Sequence, residues 1–216
     1  MLGALQLAFI DSVNLLLIGV IVAVGIAARQ HYAKTTALLI AGDWCGVAGL
    51  ALLMLVIFDG LGPVVQRFVE GPVFGILLIA TGVLTAVLAM RGGDNASLTQ
   101  RIMRPLATPG PATVLTGAVL GLIQSATSVP FYGGLALLSA AGIDAQVRYA
   151  TIPLYATVAL SLPTLTALAV GWVRAKPGSA AARGFAWARA HPEPVTAGAT
   201  WAVAVLLVVL GVTHMM

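Results

Sequence analysis

Six long apolar stretches divide the chain, at about 3–27, 35–58, 71–90, 112–141, 149–173 and 195–213, and none contains Lys or Arg. A helix needs about 20 predominantly apolar residues to cross a bilayer. The pattern therefore predicts an all-α integral membrane fold with six transmembrane helices. The fourth stretch is too long for one upright helix and is a candidate for a tilted, broken or partly interfacial one. Polar positions interrupt the apolar pattern in a repeated way. Ile10-Asp11-Ser12-Val13-Asn14 in the first stretch is echoed by Ile123-Gln124-Ser125-Ala126-Thr127 in the fourth. Each patch opens a set of three stretches, and three crossings reverse the direction of the chain. Residues 1–90 and 112–216 thus read as two inverted three-helix repeats, joined by a cytoplasmic linker at 91–111 within one membrane domain. Inverted halves that meet around polar intramembrane residues are the architecture of secondary transporters.

The repeat continues past the first patch. Lys34 before the second stretch matches Arg148 before the fifth at an offset of 114, which also sets Asp43 against Thr157. The first patches align at 113, as if one residue had been inserted between them. Basic residues then orient the chain. Arg29 and Lys34 lie in the first loop, Arg91, Arg101 and Arg104 in the third, and Arg174, Lys176, Arg183 and Arg189 in the fifth. The even loops hold only Arg67 and Arg148. The positive-inside rule places the odd loops in the cytoplasm and both termini outside, in a multi-pass inner (cytoplasmic) membrane protein. Within the loops, Asp94 or Asn95 can cap a short helix through Ser97–Arg104. Ser179–Ala190 mixes Phe185 and Trp187 with arginines, and both segments read either as interfacial helices or as ordered loops with topogenic arginines.

Composition agrees. The chain is 60% hydrophobic and 8% charged, against roughly 25% charged in soluble domains. The net charge of +4 reflects loop placement rather than nucleic-acid binding. Cys45 is the one cysteine, which excludes an intrachain disulfide. No basic segment precedes the first apolar run, so no cleavable signal peptide is expected. His31, His191 and His214 are not spaced as a metal cluster, and no metal or cofactor is expected. Arginine-rich, Ala- and Gly-rich usage hints at a bacterial source.

Two acids fall inside the apolar stretches, Asp11 and Asp43. At about 1.5 Å per residue both lie near mid-membrane, where a charged Asp costs roughly 2.5–3.5 kcal/mol. Without a basic residue in any stretch, each must be protonated, solvated, hydrogen-bonded or paired with a bound cation. Asn14, three residues after Asp11, shares its helical face. Gln124, Thr127 and Ser128 form a matching stripe on the fourth helix, which the symmetry sets opposite the first. Ser and Thr also serve as interhelical glue or bond back to their own helix. Pro130 removes a donor and frees the carbonyl of Ala126, marking a helix break beside the stripe. Phe131-Tyr132-Gly133-Gly134 then offers a flexible gate, and Pro153 and Pro163 bend the fifth helix. Gly42-x-x-x-Gly46, Gly71-x-x-x-Gly75 and Gly117-x-x-x-Gly121 suit close helix packing, with a homodimer as a further candidate. Trp44, Tyr132 and Tyr155 are cavity-lining or packing aromatics.

With Ala8-Phe9-Ile10-Asp11-Ser12-Val13-Asn14-Leu15-Leu16 in its first span and Gly121-Leu122-Ile123-Gln124-Ser125 running into Pro130-Phe131 in its fourth, the chain resembles the lysine-exporter superfamily. The acid and polar pair of the first span looks closest to that superfamily's cadmium-resistance branch, and the lipid-addressing proteins are further members. The resemblance implies export of a small solute or ion, often proton-coupled. It assigns Asp11 and Asn14 to one half of the site and Gln124, Thr127 and Ser128 to the other. The first span lacks the proline break of the amino-acid exporters. Gln124 stands where the cadmium branch has an acid, which argues against a hard divalent metal as substrate.

The expected function is a secondary exporter, not an enzyme, that moves a small solute or cation by alternating access, with Asp11 or Asp43 carrying the coupling proton. Its partners would be membrane lipid and the transported species. The alternative is a non-transporting membrane accessory protein for assembly of a lipid or envelope complex.

Overall fold

Ten helices follow one another along the described part of the chain. The structure, a computed structural model, describes residues 2–27, 31–72, 75–76, 79–80, 83, 87, 106, 108–176, 178–190, 205, 208–209 and 212. The helices are α1 (Leu2–Asp11), α2 (Leu15–Ala27), α3 (Tyr32–Leu61), α4 (Pro63–Glu70), α5 (Pro111–Ala126), α6 (Val129–Ser139), α7 (Ala145–Ala150), α8 (Ile152–Ala159), α9 (Ser161–Ala175) and α10 (Ala180–Ala190). The predicted all-α class holds among the described residues. The third and sixth apolar stretches, and the short helix predicted at Ser97–Arg104, lie outside the described residues apart from isolated positions. The helix predicted over Ser179–Ala190 is α10, whose first turn is capped where the Ser179 hydroxyl accepts from the Ala182 amide at 3.1 Å.

Among the described residues α3 is the one helix long and apolar enough by itself to cross a membrane: it has 30 residues, and an 18-residue stretch of it has mean hydropathy 2.1. Three bent pairs pass the same test if each is one span: α1 with α2 (49°), α5 with α6 (77°), and α7–α8 with α9 (42°). Each bend has a local cause. After α1, the Ser12 hydroxyl donates to the Phe9 carbonyl, and the Asn14 side chain accepts from the Leu17 amide at 3.0 Å to start a new helix. After α5, Thr127 donates back to the carbonyls of Ile123 and Gln124, and the Ser128 hydroxyl accepts from the Phe131 amide at 3.2 Å. Side chains thus replace the interrupted backbone ladder. Pro130, Pro153 and Pro163 all fall in the first turn of a new helix, where a missing amide leaves nothing unpaired.

The first break corrects the sequence reading, which ran one uninterrupted helix through 3–27. Asp11 and Asn14 therefore share no helical face, since the helix stops between them. The stripe of Gln124, Thr127 and Ser128 is likewise split across the α5–α6 junction. The junction itself is the expected break in the fourth stretch. Phe131-Tyr132-Gly133-Gly134, the candidate gate, lies within α6 with Phe131, Gly133 and Gly134 buried.

Glycines set the central contact. A methyl built on Gly42 or Gly46 of α3 would run into backbone of α5 at Val114 and Ala118, and one on Gly117 or Gly121 would meet backbone of α3 at Leu39 and Asp43. The two GxxxG motifs therefore pack on each other within one chain, with their helices parallel and their backbones in contact. Around this pair, α6 packs antiparallel on α1, where Gly134 abuts Ala4 and Gly3 faces Leu137. α9 packs on α2 and α8 on α1 and α3. Leu17, Ile21, Leu39, Leu55, Phe131, Leu135 and Tyr155 fill the core. The exterior is apolar too: Leu53, Val56, Leu115, Ile123, Leu165 and Leu168 are all more than half exposed. The interior, in turn, holds Ser12, Thr35, Thr36, Asp43, Thr113, Ser125 and Thr151.

Element boundaries recur at one offset. The cap residues Asn14 and Ser128, the helix starts Leu15 and Val129, and the helix ends Leu61 and Ala175 each stand 114 positions apart. This is the offset that relates Lys34 to Arg148, so matching the caps needs no inserted residue between the two first patches.

Candidate functional site

Asp11 ends α1, and the antiparallel packing of α6 on α1 sets it opposite the start of α6. There the Ser128 hydroxyl donates to Asp11 Oδ1 while accepting from the Phe131 amide. The carboxyl thus faces a helix N-terminus, whose unpaired amides and dipole favour negative charge. The end of α1 on which Asp11 sits has the opposite polarity, so its charge is held from α6.

Asp43 sits mid-way along α3 and is fully buried. Gly117 and Gly121 bring α5 against it closely enough for Gln124 to reach. The Gln124 Nε2 donates to Asp43 Oδ1 at 3.1 Å and Oδ2 at 2.9 Å. The Gln124 Oε1 is buried without a partner, as is the Ser125 hydroxyl one residue on. Among the described residues no basic side chain pairs with either acid, and no three His, Cys, Asp or Glu side chains gather as a metal site.

The structure thus brings together four of the six residues singled out in the sequence, Asp11 with Ser128 and Asp43 with Gln124. The other two serve the breaks. Asn14 caps α2, and the exposed Thr127 bonds back to α5. The carbonyl of Ala126, freed at the break, accepts from the Tyr132 hydroxyl at 3.1 Å. Tyr155 packs edge-on against Phe131 and donates to its carbonyl at 3.2 Å.

Two polar clusters escaped the sequence reading. At one end of the bundle Arg148 pairs with Asp59 at 3.2 Å and donates to the Ser139 carbonyl at 2.7 Å, while the Ser139 hydroxyl donates to Asp59 at 2.6 Å. At the other end Arg174 donates to the Gly25 carbonyl and lies over the Tyr32 ring, 5.0 Å from its centre. Gly25 and Ser139 are again 114 apart, so equivalent carbonyls at the ends of α2 and α6 are each held by an arginine. One comes from each end of the α7–α9 segment. Cations at helix C-termini answer the dipole and the unpaired carbonyls. The signal in the sequence is an arginine bordering the fifth apolar stretch on each side, Arg148 and Arg174, beyond their part in topology and, for Arg148, in the repeat.

Comparisons with protein-family models, curated proteins and solved structures give no match for this chain.

Proposed function

We propose that the chain is a six-span inner-membrane transporter of two inverted three-helix repeats, a secondary exporter that moves a small solute or cation outward by alternating access. Asp11 and Asp43 are its candidate proton carriers, with Ser128 and Gln124 as their partners. The observation that carries this reading is the pairing of a buried carboxyl, Asp43, and a half-buried one, Asp11, with residues at or near the break between α5 and α6, neither acid having a basic partner among the described residues. A broken helix beside buried acids is how transporters build ion sites. Support also comes from the apolar exterior, the recurrent offset of 114, and the resemblance of the first and fourth stretches to the lysine-exporter superfamily.

The test is efflux from proteoliposomes under an imposed pH gradient, screened over amino acids, amines and metal ions. Asp11→Asn and Asp43→Asn keep shape and hydrogen bonding but cannot exchange a proton. Loss of gradient-driven flux in one of them, with substrate binding kept, is the expected result. Wild-type flux in both would remove proton coupling through these acids. No flux of any solute from the wild type would favour the accessory-protein reading. Topology is tested by labelling a cysteine at Gln100 in a Cys45→Ala background, where reaction from outside intact cells would overturn the assigned orientation.

A further inference from the structure

A groove of about 920 Å³ runs between the first half of α3 and the length of α9. Its walls are almost wholly apolar. Tyr32 and Trp172 stand at one end and Trp44 and Cys45 at the other. At the Trp44 end the indole nitrogen donates to Thr157 at 3.2 Å. The Tyr32 end carries two cations on the lining rings themselves. The Arg174 guanidinium lies 5.0 Å from the centre of the Tyr32 ring, and the Lys176 ammonium 4.6 Å from that of Trp172. Among the described residues no carboxylate lines the groove.

From this arrangement we infer that the groove is a binding site for one anionic phospholipid of the cytoplasmic leaflet, with its phosphate at Arg174 and Lys176 and an acyl chain along α3 toward Cys45. The inference rests on the membrane reading above, which puts the end bearing Arg174 and Lys176 at the cytoplasmic face. Length agrees with it. Tyr32 to Trp44 is twelve residues of helix, about 18 Å at 1.5 Å per residue, close to the roughly 15 Å of a single leaflet's hydrocarbon. Charge agrees as well: two cations beside an apolar slot match a phosphate on an acyl tail, and basic pockets between transmembrane helices recognise such head groups.

Cys45 lines the groove, is exposed, and is the chain's single cysteine, so it takes a fluorescent label without further engineering. The full-length labelled protein is reconstituted with brominated-chain phosphatidylglycerol or brominated-chain phosphatidylcholine, and quenching is followed against mole fraction. Half-quenching by the anionic lipid at a mole fraction at least about fivefold lower is expected. Lys176→Gln, and separately Arg174→Gln with Lys176→Gln, should bring the two lipids within about twofold while the label remains quenchable. Equal quenching by both lipids in the wild type would overturn the inference, leaving an ordinary lipid-facing surface. Absence of quenching by either lipid would overturn it too, showing the groove filled by protein. Vesicle flotation separates these outcomes from failure of the membrane reading, in which case the protein would not float with the liposomes at all. The assay is independent of transport.

Discussion

Asp11 and Asp43 face the same problem, a carboxyl among apolar helices, and the fold gives them different partners. Asp11 sits at a helix end and meets a hydroxyl. A hydroxyl can donate to a carboxylate or accept from a carboxylic acid, so the pair with Ser128 fits either protonation state with only a rotation of the hydroxyl hydrogen. Asp43 sits inside an unbroken helix and meets an amide. Its two oxygens share the Gln124 Nε2, and the Gln124 Oε1 is left empty. A proton on Asp43 would change that geometry, because the acid can then donate to Oε1 while still accepting from Nε2. The comparison teaches that an amide, whose donor and acceptor are separate atoms, changes its pairing when the acid gains a proton, whereas a hydroxyl, donor and acceptor in one atom, need only turn its hydrogen. Asp43 is therefore the stronger candidate for linking protonation to movement, and Asp11 for holding the α5–α6 junction.

The sharpest way to break this contrast is Asp43→Asn. The asparagine can form the reciprocal amide pair with Gln124 that a protonated Asp43 would form, so the protein should fold normally. On the proposed exporter function, its gradient-driven flux should drop at least about tenfold, the effect of about 1.4 kcal/mol on a barrier. Asp11→Asn should lose less. A larger loss at Asp11 would reverse the assignment.

Gly117→Ala attacks the contact that delivers Gln124 to Asp43. The added methyl meets the Leu39 carbonyl and the Asp43 amide, and backbone cannot swing aside. The cost should be about 1–3 kcal/mol or more, as for other overpacked sites, seen as a lowered unfolding temperature in detergent. Gly49→Ala on α3 is the control. Nothing lies within 4 Å of the added carbon, and the helix gains about 0.5–1 kcal/mol of propensity.

Ser128→Ala removes both the cap of α6 and the donor to Asp11. Loss of the cap costs about 0.5–2 kcal/mol, and Asp11→Asn in that background should then add little further change in stability. Fully additive effects in this double-mutant cycle would mean that the two side chains do not interact. Asn14→Ala should show the smallest change. About 1 kcal/mol of stability goes with the cap, and pH-gradient-driven flux per folded molecule stays unchanged, because Asn14 touches neither acid. Asn14→Ser should recover the stability. A flux defect in Asn14→Ala would return Asn14 to the site itself.

Sequence by itself determined a good deal of this. Apolar runs free of Lys and Arg require helices wherever they are long, and the two GxxxG motifs and the break at Pro130 follow from local sterics. The break after Asp11 was also legible, because Asp, Ser and Asn in succession offer the backbone side-chain partners. Judging helix continuity by proline alone hid it. What only the tertiary structure decided is which polar group meets which. Asp43 and Gln124 are 81 residues apart, Asp11 and Ser128 117. Their pairing depends on how closely α3 approaches α5, which is set by glycines lying flat against backbone, and on the antiparallel run of α6 along α1. The arginine clasps on Ser139 and Gly25 are of the same kind. A free carbonyl at a helix end attracts any cation within reach, and only the folded chain decides which arginine that is.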